Sequence, residues 1–185
     1  MSFSILSILT GCGPADLDYE KQSEETPWSF VDWDSCSASI DDHACNFTLE
    51  DKDKKEVSLY DFYDQIIILD ISAMWCGPCN AAASDIAEVK LIYPGINYIT
   101  VLVENEYGEP PTQEDLKNWS TRHSIDEPVL RSDRSFISHD PNEGWPIEGW
   151  PTFYYIGKDM IIEHGHAGYS NQLISQNIQA LDSNN

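Results

Sequence analysis

Cys76-Gly77-Pro78-Cys79 stands at a seam in the chain. Before it, Ile66 to Ile71 is an almost unbroken apolar run of strand length, the pattern of a central strand covered on both faces. After it, Asn80 to Leu91 is Ala-rich, and Ala83, Ile86, Ala87 and then Ile92 recur at helical spacing. Ile96 to Val103 follows as a second apolar strand. Strand, turn, helix and strand make a β-α-β unit, which requires parallel pairing and a right-handed crossover. The cysteine pair therefore opens a helix at the end of a buried strand.

That placement has a chemical consequence. A cysteine at a helix mouth lies beside unpaired backbone N–H groups and the positive end of the helix dipole, so an exposed sulfur there is stabilised as thiolate. Such thiols fall from a pKa of about 8.5 to roughly 3.5–7.5 and become nucleophiles near neutral pH. Cys79 lies one turn further on the same face, within reach of the Cys76 sulfur. One thiol can attack a disulfide and the other can resolve the mixed disulfide that results. Asp70, set among Ile66, Ile67, Ile68, Leu69 and Ile71, is costly to bury as an anion, so its pKa should rise. A raised carboxyl suits a proton acceptor; the alternative is a strand-end Asp that reaches water.

Around this unit, Phe47-Thr48-Leu49 and Val57-Ser58-Leu59 flank a polar turn and predict a β-hairpin. Thr112, with Asp115 at the capping-box position, opens a helix to about His123, and Val129-Leu130 reads as a short strand. Arg131 to Gly149 is rich in Pro and Gly and reads as a loop. Thr152 to Ile156 and Met160 to Glu163 form an expected antiparallel hairpin, and Ser170 caps a last helix to about Leu181.

The formal charge is −22, from 32 acidic against 10 basic residues, so the surface repels phosphate backbones and nucleic-acid binding is excluded as a role. Five cysteines are an odd number. Leu9-Thr10-Gly11-Cys12, ending a short apolar run, resembles a bacterial lipobox, whose cysteine carries lipid after cleavage. Residues 1–11 would be the signal, residues 12–35 an acidic tether with Pro14 and Pro27 as breakers, and residues 36–185 the folded domain. Lipid on Cys12 would anchor the protein to a membrane without spanning it. Gly13 in place of Asp points to the outer membrane of a bacterial envelope, facing the periplasm. Trp28, Phe30 and Trp33 at the end of the tether read as packing on the domain.

Trp75-Cys76-Gly77-Pro78-Cys79 resembles the active-site pentapeptide of thioredoxins, and Phe47 to Cys79 resembles the start of the membrane-anchored TlpA/ResA type within that superfamily. The resemblance covers most of Phe47 to Leu181. It implies an α/β thioredoxin-like fold: a mixed central sheet flanked by helices, with an N-terminal β-hairpin extension and a central insertion. It implies thiol-disulfide exchange with protein substrates, with Cys76 as nucleophile, Cys79 as resolving thiol and Asp70, six residues before Cys76, as the buried acid. It places a cis-proline just before an antiparallel strand, and Pro151 rather than Pro146 leads directly into one. Trp75, Gly77, Pro78 and Trp150 would then touch substrate, although Trp150 departs from the small or β-branched residue usual there. No organic cofactor is implied beyond the redox-active Cys76–Cys79 pair. Gly77-Pro78 resembles reducing thioredoxins, so a reductase fed by a DsbD-like membrane donor is favoured over a disulfide oxidase, with apo-cytochrome c as one substrate class.

Cys36 and Cys45 enclose a short loop and read as a structural disulfide in an oxidising envelope, with a second redox pair as the alternative. A copper or zinc chaperone is the non-enzymatic competitor, using His164 and His166 with Cys76 and Cys79, or all four of these cysteines. Peroxide chemistry at Cys76 would need a Thr or Ser three residues earlier and a Pro further upstream, where this chain has Ala73 and Leu69.

Overall fold

The computed structural model describes residues 28–184. The signal expected over residues 1–11, lipidation at Cys12 and the tether as far as residue 27 lie outside the described residues. The chain divides into two units, Met1–Asp32 and a second that begins at Trp33. In the described part of the first, a turn is closed by the Val31 N–H donating to the Trp28 carbonyl at 3.4 Å.

The second unit holds β1 (Thr48–Asp51), β2 (Glu56–Ser58), β3 (Ile66–Ala73), α1 (Gly77–Ile92), β4 (Ile96–Glu104), α2 (Gln113–His123), β5 (Val129–Arg131), β6 (Thr152–Ile156), β7 (Ile162–Ala167) and α3 (Asn171–Asn184). The strands form one seven-stranded mixed sheet in the order β2-β1-β5-β4-β3-β6-β7. β3 is central: it pairs parallel with β4 from Ile66↔Ile96 onward and antiparallel with β6 from Ile67↔Ile156 to Ile71↔Thr152. All eight of its residues are buried, which is why its sequence shows no alternation. The hairpin β1–β2 joins the sheet through β5, where Glu50 pairs with Arg131.

The two faces of the sheet are covered differently. Ile66 and Ile68 of β3 share a core with Tyr98 and Leu102 of β4, Phe153 and Tyr155 of β6, and apolar residues of all three helices, among them Ile86, Trp119 and Ile178. Ile67, Leu69 and Ile71 point to the other face and are wholly buried as well. There the cover is irregular chain. Trp145 packs edge-on to Tyr154, the cross-strand partner of Leu69, and Phe47 and Phe136 pack on Trp145. The Tyr154 hydroxyl donates to the Pro146 carbonyl. A loop closed by the Cys36–Cys45 disulfide lies along β7: the Ile162 N–H donates to the Asp42 carbonyl at 3.0 Å, and the Asp41 N–H returns a bond to Ile162 at 2.8 Å. Trp33 stacks on His43 within this cover, at 4.2 Å between ring centroids.

The structure extends or shifts several of the expected elements: β3 runs on to Ala73, β7 to Ala167 and α3 to Asn184. α1 begins at Gly77 with Cys76 as its N-cap, so the cysteine pair opens the helix as expected, and Pro78 falls in the first turn, where its missing N–H has no partner to lose. β7 begins at Ile162 rather than Met160, because Met160 sits at φ 67° in the turn and is buried beneath the crossing chain, its carbonyl accepting from the Ala44 N–H at 2.8 Å. The segment read as loop after Arg131 contains a 3-10 turn, Arg134–Phe136, started by the Asp133 side chain accepting from the Ser135 N–H. No helix of the described residues is long and apolar enough to cross a membrane.

Candidate active site

Cys76 is the N-cap of α1, with extended backbone, and its sulfur accepts from the Cys79 N–H at 3.1 Å. That bond and a disulfide to Cys79 turn the sulfur inward, so Cys76 is only 3% accessible and Cys79 fully buried. The sulfur is thus less open than a helix-mouth position alone predicts. Access is set by its neighbours: Gly77 and Pro78 are exposed, and Trp75 is 47% accessible. The geometry suits exchange, since reduction leaves the Cys76 sulfur facing a helix N-terminal N–H that stabilises its anion.

The segment that carries Cys76 is held from two sides. From α1, Asn80 Nδ2 donates to the carbonyls of Met74 at 2.9 Å and Cys76 at 2.8 Å. Asn80 Oδ1 faces His123 Nε2 of α2 at 3.2 Å, and His123 Nδ1 lies 3.0 Å from Ser84 Oγ. Burial, with a smaller push from the Arg122 charge, lowers the pKa of His123 and keeps it neutral near pH 7. From β4, Glu104 accepts the Met74 N–H on its carbonyl at 2.9 Å and the Trp75 indole N–H on its side chain at 2.7 Å. Its other carboxylate oxygen accepts from Arg134 Nε. A register shift between Ser72 and Ala73 puts Ala73 opposite Glu104 and brings these groups together at the strand end.

Asp70 is fully buried on the β3 face that also carries Ile66 and Ile68, the face whose core includes Cys79. Ser72 Oγ donates to one carboxylate oxygen at 2.5 Å and the Tyr98 hydroxyl to the other at 3.1 Å. Burial raises its pKa to about 7, and these two hydrogen bonds oppose the rise. Tyr98 is driven well above the ordinary phenol range, first by burial and then by the facing carboxylate.

The Trp150–Pro151 peptide bond is cis. The Pro151 carbonyl accepts from the Gly168 N–H at 2.7 Å, and Gly168 has φ +83°, which favours glycine at that crossing. The Trp150 ring lies edge-on to Trp75, 5.9 Å between centroids. His164 and His166 are cross-strand partners of Tyr155 and Phe153, and His166 stacks on both rings. The structure does not gather them with the cysteines: among the described residues no three or more His, Cys, Asp or Glu side chains converge as metal ligands. Cys36 and Cys45 are bonded to each other, apart from the active pair.

Sequence reasoning missed Glu104, Asn80 and Arg134. Glu104 left a signal, a lone charge ending a buried parallel strand, because open α/β sheets build their sites at the carboxyl ends of strands. Arg134 left none, since its role depends on where a long loop returns.

The profile of the AhpC/TSA family matches residues 40–164, more than half of the chain. Thioredoxin H4-2 of Oryza sativa subsp. japonica is 24% identical over 117 residues, 63% of this chain and 64% of that protein. Thus this chain spans less than two thirds of that relative's length. Among solved structures, a DsbF homologue from Corynebacterium diphtheriae superposes with a TM-score of 0.62 at 20% identity, covering 75% of this chain and 87% of the other. A secreted Mycobacterium tuberculosis disulfide oxidoreductase homologous to E. coli DsbE gives 0.56 at 17% identity, covering 73% and 96%. At these identities the likeness is one of fold, and the fold is α/β thioredoxin-like.

Proposed function

Given that the chain belongs to the AhpC/TSA family, within the thioredoxin superfamily, we propose that it is a thiol-disulfide oxidoreductase that reduces protein disulfides in a bacterial envelope. The observation that carries this reading is the Cys76–Cys79 disulfide at the N-terminus of α1, at the end of a buried strand that holds a carboxyl raised to about 7, able to take up and give back a proton near neutral pH. Peroxide reduction is a poorer reading, because Ala73 and Leu69 replace the hydroxyl and the proline that it needs.

In the reduced protein, the Cys76 thiolate attacks one sulfur of a substrate disulfide. The substrate's sulfur–sulfur bond breaks, a mixed disulfide forms on Cys76, and the other substrate sulfur leaves as thiolate and takes a proton from water. Cys79 then gives its proton toward Asp70 and attacks the Cys76 sulfur, releasing the second substrate thiolate and closing the Cys76–Cys79 bond. Two electrons have moved from the protein to the substrate. A dithiol donor must return them, and a DsbD-like membrane protein fits that requirement. Gly77, Pro78, Trp75 and the Trp150 backbone before Pro151 form the surface a bound peptide would meet.

The same reading assigns Cys12 to a lipid anchor, residues 12–35 to a tether and residues 36–185 to the working domain, facing the periplasm from the outer membrane. Apo-cytochrome c is a fitting substrate when its paired cysteines are oxidised to a disulfide.

The test is a Cys79→Ser variant exposed to envelope extract. Mixed disulfides trapped on Cys76 are expected, and they should disappear when Cys76 is also replaced. A wild-type protein whose Cys76–Cys79 bond cannot be reduced by dithiothreitol and re-formed, and a variant that traps nothing, would overturn the reading.

A further inference from the structure

Glu104 and Asp70 are the two buried acids among the described residues, and the exchange chemistry uses only Asp70. We propose that Glu104 and Arg134 are positioning residues that fix Trp75 as an aromatic wall beside Cys76, so that the central insertion takes part in recognising apolar side chains next to a substrate cysteine. This rests on the dithiol-exchange reading.

Each oxygen of Glu104 accepts a hydrogen bond. One accepts the Trp75 indole N–H at 2.7 Å, the other accepts from Arg134 Nε, and its backbone carbonyl accepts the Met74 N–H. The Glu104 side chain is 4% accessible, so its negative charge is held away from water and compensated by these donors. Arg134 supplies the positive partner from the 3-10 turn of the insertion, with its side chain 69% accessible. A charged acceptor at a fixed point defines which way the indole plane stands.

That plane is about half open to solvent. Trp75 presents 47% of its surface to solvent although its N–H is already satisfied, so what it offers outward is apolar ring. Trp150 meets it edge-on at 5.9 Å, and the pair stands where Cys76 itself is only 3% accessible. A side chain adjacent to an incoming cysteine must pass these rings. Rigid Trp surfaces favour apolar and aromatic neighbours and lose little entropy on contact. The insertion residue Arg134 acts on this through Glu104 and Trp75, without itself touching sulfur.

The experiment uses the full chain, reduced and then mixed with two disulfides, insulin as protein substrate and hydroxyethyl disulfide as small reagent. Arg134→Ala is the primary variant, because so exposed a side chain can be removed with the fold standing. Its second-order rate constant toward insulin is expected to fall five- to tenfold, that toward hydroxyethyl disulfide less than twofold, and the Trp75 emission to shift. Glu104→Gln, which keeps a neutral acceptor for the indole, should fall between wild type and Arg134→Ala. In a Trp75→Phe background, Arg134→Ala should add no further loss. Equal falls for both disulfides, or an undiminished effect of Arg134→Ala once Trp75 is gone, would overturn the proposal. A wild-type protein inert toward both disulfides would instead count against the exchange reading beneath it.

Discussion

Asp70 sets the proton balance of this site. Its folded-state pKa of about 7 lies above the ordinary carboxyl value of about 3.9, because burial penalises the anion more than Ser72 and Tyr98 support it. The sign follows from linkage: with the folded value raised, the carboxyl's contribution to stability is fully present below about pH 4 and is lost as pH rises through 7. Asp70→Asn should therefore flatten the stability profile over that window and make the variant more stable than wild type above pH 7, as read by urea melts at pH 4, 6 and 8. In the mechanism proposed above, the same variant would lose the proton acceptor for Cys79. Resolution of the mixed disulfide should slow by about 100-fold, at the low end of general acid–base effects, while the first attack by Cys76 persists. Stopped-flow release of the second substrate thiol measures that step.

Among the elements, the loop over β7 depends on a covalent tie. The Cys36–Cys45 bond closes a loop of sequence separation 9, and restricting so short a loop in the unfolded chain is worth about 2–3 kcal/mol on the entropy model. Replacing both cysteines with alanine should lower stability by about 2 kcal/mol, measured by denaturant unfolding, and leave closure of the Cys76–Cys79 ring intact. The bond sits in the part of the fold that periodicity does not describe. β3, β4, α1 and the capping box of α2 were readable from the sequence, because their signals are local: an apolar run, a helical repeat, Thr112 followed by Asp115. The cover of the second face was not, since it is made by Trp145, Phe47, Phe136 and the Cys36–Cys45 loop, segments far apart in sequence with no shared repeat. The site divides in the same way. Asp70 could be picked out because a charge inside an Ile run is visible in one dimension, whereas the Arg134–Glu104–Trp75 chain joins three distant segments.

At the scale of the whole molecule, charge dominates. A net −22 on 185 residues generates a field that gathers cationic partners and repels anionic ones. A basic protein disulfide should be reduced about tenfold faster than an acidic one of similar accessibility at low ionic strength. Raising salt from 50 to 500 mM should shrink that advantage, because the screening length falls below the size of the contact. Rates for two such substrates across a salt series test it.

The sheet carries its helices on one side and is closed on the other by irregular chain fastened with a single sulfur bridge. Inside a reducing cytosol that fastening would stay undone, and the newly made chain would wear its second side loosely. Full toughness arrives only once the surroundings can oxidise two thiols, so in the envelope proposed above the same property of the compartment that would supply the substrates would also finish the chain's own assembly.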